Sequence, residues 1–250
     1  GTTNSFSASI TDNGAYVSTK TPNCQNNIGI DIDSYNVGNT GGGQDIIKHK
    51  QTSASIKLGS TQDRYFPSVF AFSTDLYTPD VCYEEKIYKD GSLLSGSVEI
   101  GDLLDINVTV RNKGQEPAIG VTVEKQYDPQ MPYVSSSMLV RNTGQSSFLF
   151  KTDDVDEDTA EYTDENGTTK YYIGTGATGG QGGNLNEDNN ASFSYKVSVD
   201  EYINHSIKNK YLVSYQNDQL GVPFVGVPMS TCSGVAPTPL VIRNPNELTQ

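Results

Sequence analysis

The residues of this chain with the greatest chemical capacity are clustered carboxylates, and the chemistry they suit is cation binding. Eight fall between positions 153 and 165: Asp153, Asp154, Asp156, Glu157, Asp158, Glu161, Asp164 and Glu165. Calcium takes roughly six to eight oxygens from carboxylates, amides and carbonyls. Asp153, Asp154, Asp156 and Asp158 are therefore the candidate metal ligands, with Asp31-Ile32-Asp33 and residues 184–189 as further oxygen-rich stretches. None keeps the EF-hand order, with Gly sixth and Glu twelfth. An acidic run also reads as a solvated loop. Calcium is thus a candidate cofactor, and no cofactor is required.

Catalytic signatures fail one by one. The only imidazoles are His49 and His205, and neither accompanies a Gly-x-Ser-x-Gly nucleophile turn. Residues 174–183 are Gly-rich but hold no lysine in a Walker arrangement, so they read as a flexible loop. Carboxylate pairs for glycoside hydrolysis are defined by spatial separation, which a sequence does not give. The absence of Trp removes the commonest sugar-stacking platform. The expectation is a protein that is not an enzyme. Tyr171, Tyr172, Tyr195, Tyr211 and Tyr215 offer rings and hydroxyls to a glycan. Their alternate spacing favours the competing reading, in which they fill a core.

Charge narrows the partners. The 250 residues carry a net charge of −13, from 30 acidic and 17 basic side chains. Neutralising phosphates needs clustered Lys and Arg, so nucleic acid is excluded as a partner. An anionic membrane surface is disfavoured for the same reason. No apolar run approaches membrane-spanning length, and no signal peptide opens the chain. It reads as a mature or excised part of a longer secreted protein. Its three cysteines, Cys24, Cys82 and Cys232, leave one bridge and a free thiol, or a partner outside the chain. None has the spacing of a zinc site.

The elements that position these residues alternate with period two. Leu104, Ile106, Val108 and Val110 interleave with Asp105, Asn107, Thr109 and Arg111, as in a strand with one wet face. Ile119, Val121 and Val123 repeat the pattern, as do Phe193, Tyr195, Val197 and Val199, and then Tyr211, Val213 and Tyr215. Phe148 and Phe150 make a shorter run. Ala54, Ile56 and Leu58 mark an earlier strand, and Val69-Phe70-Ala71-Phe72 reads as a central strand buried on both faces. Residues 39–43, 153–167 and 174–190 read as loops. Pro237-Thr238-Pro239-Leu240-Val241-Ile242 reads as an extended edge segment. The fold class expected is all-β: antiparallel, Greek-key, immunoglobulin-like β-sandwiches.

From Cys82 onward the chain resembles the conserved-repeat bacterial surface modules known as domain of unknown function eleven. The residues that carry the resemblance are Gly101-Asp102-Leu103-Leu104-Asp105-Ile106-Asn107-Val108-Thr109-Val110-Arg111-Asn112, then Gly114-Gln115-Glu116-Pro117-Ala118-Ile119-Gly120-Val121-Thr122-Val123. Met131-Pro132-Tyr133-Val134-Ser135 continues it with a shortened spacing, and Tyr172 to Ala177 and Ala191 to Val197 are similar to its later strands. The resemblance covers roughly the C-terminal 150 residues and implies secreted immunoglobulin-like sandwiches, often in tandem, without catalytic residues.

Cys82 opens that module and Cys232 closes it, so Cys82–Cys232 is the expected disulfide, leaving Cys24 free. The expected division is a β-domain over 1–79, incomplete on its own, a conserved-repeat module over 80–236, and an extended segment or linker over 237–250. The function expected is a structural or adhesive module of a bacterial surface protein, extracellular or secreted. Its partners would be other surface modules, copies of itself, or host and environmental glycans. The alternative is a filament subunit whose Leu240–Ile242 strand completes a neighbour's sheet.

Overall fold

The computed structural model describes residues 8–35, 53–57, 64, 66–72, 78–155, 157–163, 167–218, 221–237 and 239–246. The chain divides into two units, Gly1–Ala71 and Phe72–Gln250.

The first unit contains a small sheet of three short strands, β1 (Ile10–Asp12), β2 (Ala15–Tyr16) and β3 (Ile32–Ser34), in the order β2-β1-β3. The turn at Asn13-Gly14 joins β1 to β2, as its sequence demands. The expected strand at Ala54 and Ile56 is extended without pairing, and Leu58 lies outside the described residues, as does the expected loop over 39–43. The Val69–Phe72 run is not a buried central strand. It has no strand assignment and its side chains face solvent, Val69 at 86% exposure. A short apolar run becomes a central strand only where neighbours flank it, and no described strand does.

The second unit is a sandwich of two sheets. Its strands are β4 (Val81–Lys89), β5 (Ser92–Leu93), β6 (Leu103–Asn112), β7 (Ala118–Gln126), β8 (Leu139–Arg141), β9 (Leu149–Phe150), β10 (Ala160–Thr163), β11 (Thr168–Tyr172), β12 (Gly183–Leu185), β13 (Asn190–Ser198), β14 (Leu212–Asn217), β15 (Pro223–Pro228) and β16 (Ser230–Thr231). One sheet runs β16-β4-β6-β13-β8-β9, with β5 paired to β4. The other runs β10-β11-β7-β14-β15, with β12 paired to β7. Chain neighbours β6 and β7 lie in opposite sheets, while β13 sits between β6 and β8; these are Greek-key connections. Pairing is antiparallel throughout this unit's strands except for β16, which runs parallel to β4.

The alternation in β6 translates directly into packing. Leu104, Ile106, Val108 and Val110 are all fully buried, and the residues between them face outward or are half-exposed. Phe193 and Tyr195 of β13 meet the opposite sheet, where Tyr171 stacks on Phe193 with ring centroids 4.0 Å apart. Burying each such aromatic contributes about 1.5–3 kcal/mol, and these contacts close the sandwich.

β7 departs from simple alternation. Ala118, and not Ile119, joins Val121 and Val123 in the core. Between the pairs Thr122–Ser214 and Ile119–Gln216, two β7 residues face the single Tyr215. Gly120 supplies the positive φ of this bulge, at +67°. A bulge shifts the inward row by one residue, which simple period-two counting does not see.

The stretches 153–167 and 174–190, expected as loops, both contain strand residues. Residues 160–163 form β10, hydrogen-bonded to β11. The Gly-rich stretch is not a flexible loop: it folds as a compact hairpin, with Thr175 opposite Asn184 and Thr178 opposite Gln181, before β12 joins β7. Its glycines permit backbone-to-backbone approach. A Cβ on Gly182 would lie 2.4 Å from the Val121 carbonyl oxygen, and one on Gly183 2.6 Å from that of Thr175.

Candidate functional site

Of the four candidate metal ligands, Asp153 and Asp158 have hydrogen-bond donors within the protein. Asp153 accepts hydrogen bonds from the Tyr133 hydroxyl at 2.6 Å and the Ser136 amide at 2.8 Å. Asp158 accepts from the amides of Thr152 and Ala160, each at 3.0 Å, and so folds the turn into β10. Asp154 is exposed, and Asp156 lies outside the described residues. Among the described residues no three His, Cys, Asp or Glu side chains converge as a metal centre requires. The second acidic stretch is likewise engaged: Asp31 accepts from the Ser9 amide at 3.0 Å, and Asp33 from the Thr11 hydroxyl.

The tyrosines considered as a sugar platform are interior. Tyr171, Tyr172, Tyr195 and Tyr211 are all buried, and half-buried Tyr215 stacks on Phe224 at 4.9 Å. Inward projection takes the rings of Tyr171, Tyr195 and Tyr211 into the core, away from any surface ligand.

The geometry that stands out is a clamp where the sandwich begins and ends. Cys82 at the start of β4 and Cys232 just after β16 form a disulfide, with Cα atoms 4.9 Å apart and a sequence separation of 150. The Cys232 amide donates to the Tyr83 carbonyl at 2.8 Å, and the Lys113 amine reaches the Cys232 carbonyl at 3.2 Å. Cys24, in the first unit, is an exposed free thiol.

Beside the clamp, fully buried Asn112 uses its whole amide. Its oxygen accepts from the amides of Asp80 at 3.0 Å and Gly114 at 2.9 Å. Its nitrogen donates to the carbonyls of Glu116 at 2.7 Å and Leu185 at 2.9 Å. One side chain thereby ties the approach to β4, the β6–β7 turn and β12 together. Gly114 completes the contact, because a Cβ there would sit 2.1 Å from the Thr78 carbonyl oxygen. The Asn-x-Gly motif at 112–114 is structural. A shallow surface concavity of about 220 Å³ adjoins it, lined by Glu84, Arg111, Asn112, Lys113, Asp188 and Cys232. It is smaller than a usual small-molecule site.

A second polar group lies between the sheets. Glu85 of β4 accepts from the Tyr211 hydroxyl, which is itself 2.9 Å from the Tyr195 hydroxyl. Lys125 of β7 is buried and donates to the Gln126 carbonyl at 2.8 Å, with its amine 5.2 Å from the centre of the Tyr127 ring. Burial pushes the Glu85 carboxyl above its ordinary range, against the pull of the Tyr211 hydroxyl, the Asn209 amide and the Lys125 charge. Burial pushes the Lys125 amine down to about 8, against Glu85 and Asp128. Burial likewise raises the Tyr195 and Tyr211 hydroxyls well above the usual phenol range. Sequence reading missed this group. Lys125 sits two positions after Val123 on the inward row, and that spacing was its only signal.

No family model matches the chain, and no curated protein matches it in sequence. Similar solved structures are of surface proteins. A variant of BcpA, the major pilin subunit of Bacillus cereus, is 12% identical with a TM-score of 0.41, covering 65% of this chain and 40% of that one. The major pilin SpaD from Corynebacterium diphtheriae is 12% identical with a TM-score of 0.40, over 60% of this chain and 33% of that one. The collagen adhesin of S. aureus is 9% identical with a TM-score of 0.37, over 63% and 48%. The chain thus spans less than half the length of each of these three proteins.

The Leu240–Ile242 segment does not stand free for a neighbour. Leu240 pairs with Ile207 and Ile242 with Val98, and both side chains are buried in their own unit. No helix among the described residues is long and apolar enough to cross a membrane.

Proposed function

We propose that the chain is a non-enzymatic structural or adhesive part of an extracellular bacterial surface protein, and that its second unit transmits tension without unfolding. The observation that carries this reading is the Cys82–Cys232 clamp across the first and last paired strands. Tension applied from residues before 82 to residues after 232 crosses the disulfide and bypasses the sandwich between them. Structural disulfides persist in oxidising surroundings, which favours the extracellular face of the cell. Polar side chains that converge inside the unit serve backbone and hydroxyl groups, as Asn112 and Asp153 do. Membership of the conserved-repeat module family fits the Asn112-Lys113-Gly114 turn and its strand pattern, and belongs to the same proposal. Partners of such a module are neighbouring modules or ligands met by its exposed loops.

Single-molecule pulling between the two termini tests the reading. Under oxidising conditions the second unit should yield only the segment beyond Cys232. With reductant present it should lengthen by about 500 Å, taking ~3.4 Å for each of the 150 residues that the bridge encloses. An extension of that size without reductant would defeat the proposal. Protease treatment of intact cells should release the chain; protection from it would argue against a surface location.

A further inference from the structure

The Glu85 group takes no part in the clamp, yet it spans both sheets. Glu85 belongs to the sheet of β4, whereas Tyr211 and Lys125 belong to the other, and Tyr195 of β13 closes the chain back to the first. Its surroundings are almost entirely neutral. Tyr83 lies on its own strand, Tyr195 on β13, Asn209 and Tyr211 ahead of β14, and Tyr127 and Asp128 just after β7. The cation near it is Lys125, whose amine is turned to the Gln126 carbonyl; among the described residues that amine makes no ion pair.

We propose that Glu85 is a proton-operated clasp between the two sheets, tightened when its carboxyl takes up a proton as the surroundings become mildly acidic. A carboxylate held by one phenol, with its nearest cation out of contact, gains from becoming neutral. A carboxyl has two oxygens, so the proton adds to the one that Tyr211 does not contact and requires no movement of the chain. Tyr211 then still donates to Glu85 and Tyr195 to Tyr211, and the charge alone is lost from between the sheets. The folded protein binds this proton more tightly than the unfolded chain does. Its stabilisation is therefore complete in acid and is lost as pH rises through the raised folded value.

Thermal unfolding of the unaltered protein and Glu85→Gln, compared from about pH 7.5 to about pH 5, tests the clasp. The variant should match or exceed the unaltered protein at the upper pH, and lose several degrees relative to it at the lower. A difference that stays constant across the range overturns the proposal. Should Glu85→Gln fail to fold, carbon NMR of the glutamate carboxyls decides on the unaltered protein and on Lys125→Met. One glutamate should titrate above the ordinary ~4.3 and move higher still in Lys125→Met. Ordinary titration of every glutamate, or an elevated one insensitive to that variant, overturns it.

Discussion

Asn112 illustrates how much of this fold hangs on single polar side chains. It satisfies four backbone groups in the interior, two through its oxygen and two through its nitrogen. Asn112→Ala leaves several of them buried without partners, each costing about 1–3 kcal/mol. The expected loss is about 3–5 kcal/mol, read as a lower urea midpoint at unchanged slope. Lys125 acts in the opposite sense, since its charged form is held in the interior at a cost. Its folded value of about 8 lies below the ordinary 10.5, so the unfolded chain binds the proton more tightly. Stability should therefore rise between pH 8 and 10, in proportion to the part of the shift that is titrated, and Lys125→Met should abolish the rise. The tyrosines reverse the trend above pH 10, because their raised values favour retained protons in the folded state. Asp153 and Asp158 already have donors, so a calcium chelator should leave the thermal midpoint unmoved.

Elements are placed by backbone approach as much as by side-chain pattern. β12 lies on β7 only because the glycines before it let two backbones touch. Gly182→Ala should force that hairpin away from Gly120 and Val121, at a cost of about 1–3 kcal/mol. Hydrogen exchange should show the loss confined first to the amides of 173–185. The β7 bulge answers the same demand, since it re-aims Ala118 inward beside β12. Period-two counting located β6, β7, β13 and β14, where one face is apolar and the other wet. It did not locate β10 or β12, whose sequences carry acidic and Gly residues that read as loop. Their pairing is imposed by neighbours, β11 for one and β7 for the other.

For the whole molecule the decisive connection is between residues far apart in sequence. Reduction of Cys82–Cys232 frees a loop of 150 residues, and the chain-entropy relation puts the loss at about 5 kcal/mol. Chemical unfolding with and without reductant should show that difference, with the native spectrum unchanged before the transition. The sequence by itself determined the all-β class and the inward row of β6, because these follow from local alternation. It also marked both cysteines, through a resemblance that bounded the module. Only the tertiary structure decided the fate of the polar residues. Whether Asp153 meets a cation or Tyr133, and whether Lys125 faces water or is buried between the sheets, depends on which strands adjoin. That information resides in the register of the two sheets and the closure of one on the other, to which no short stretch of chain is sensitive.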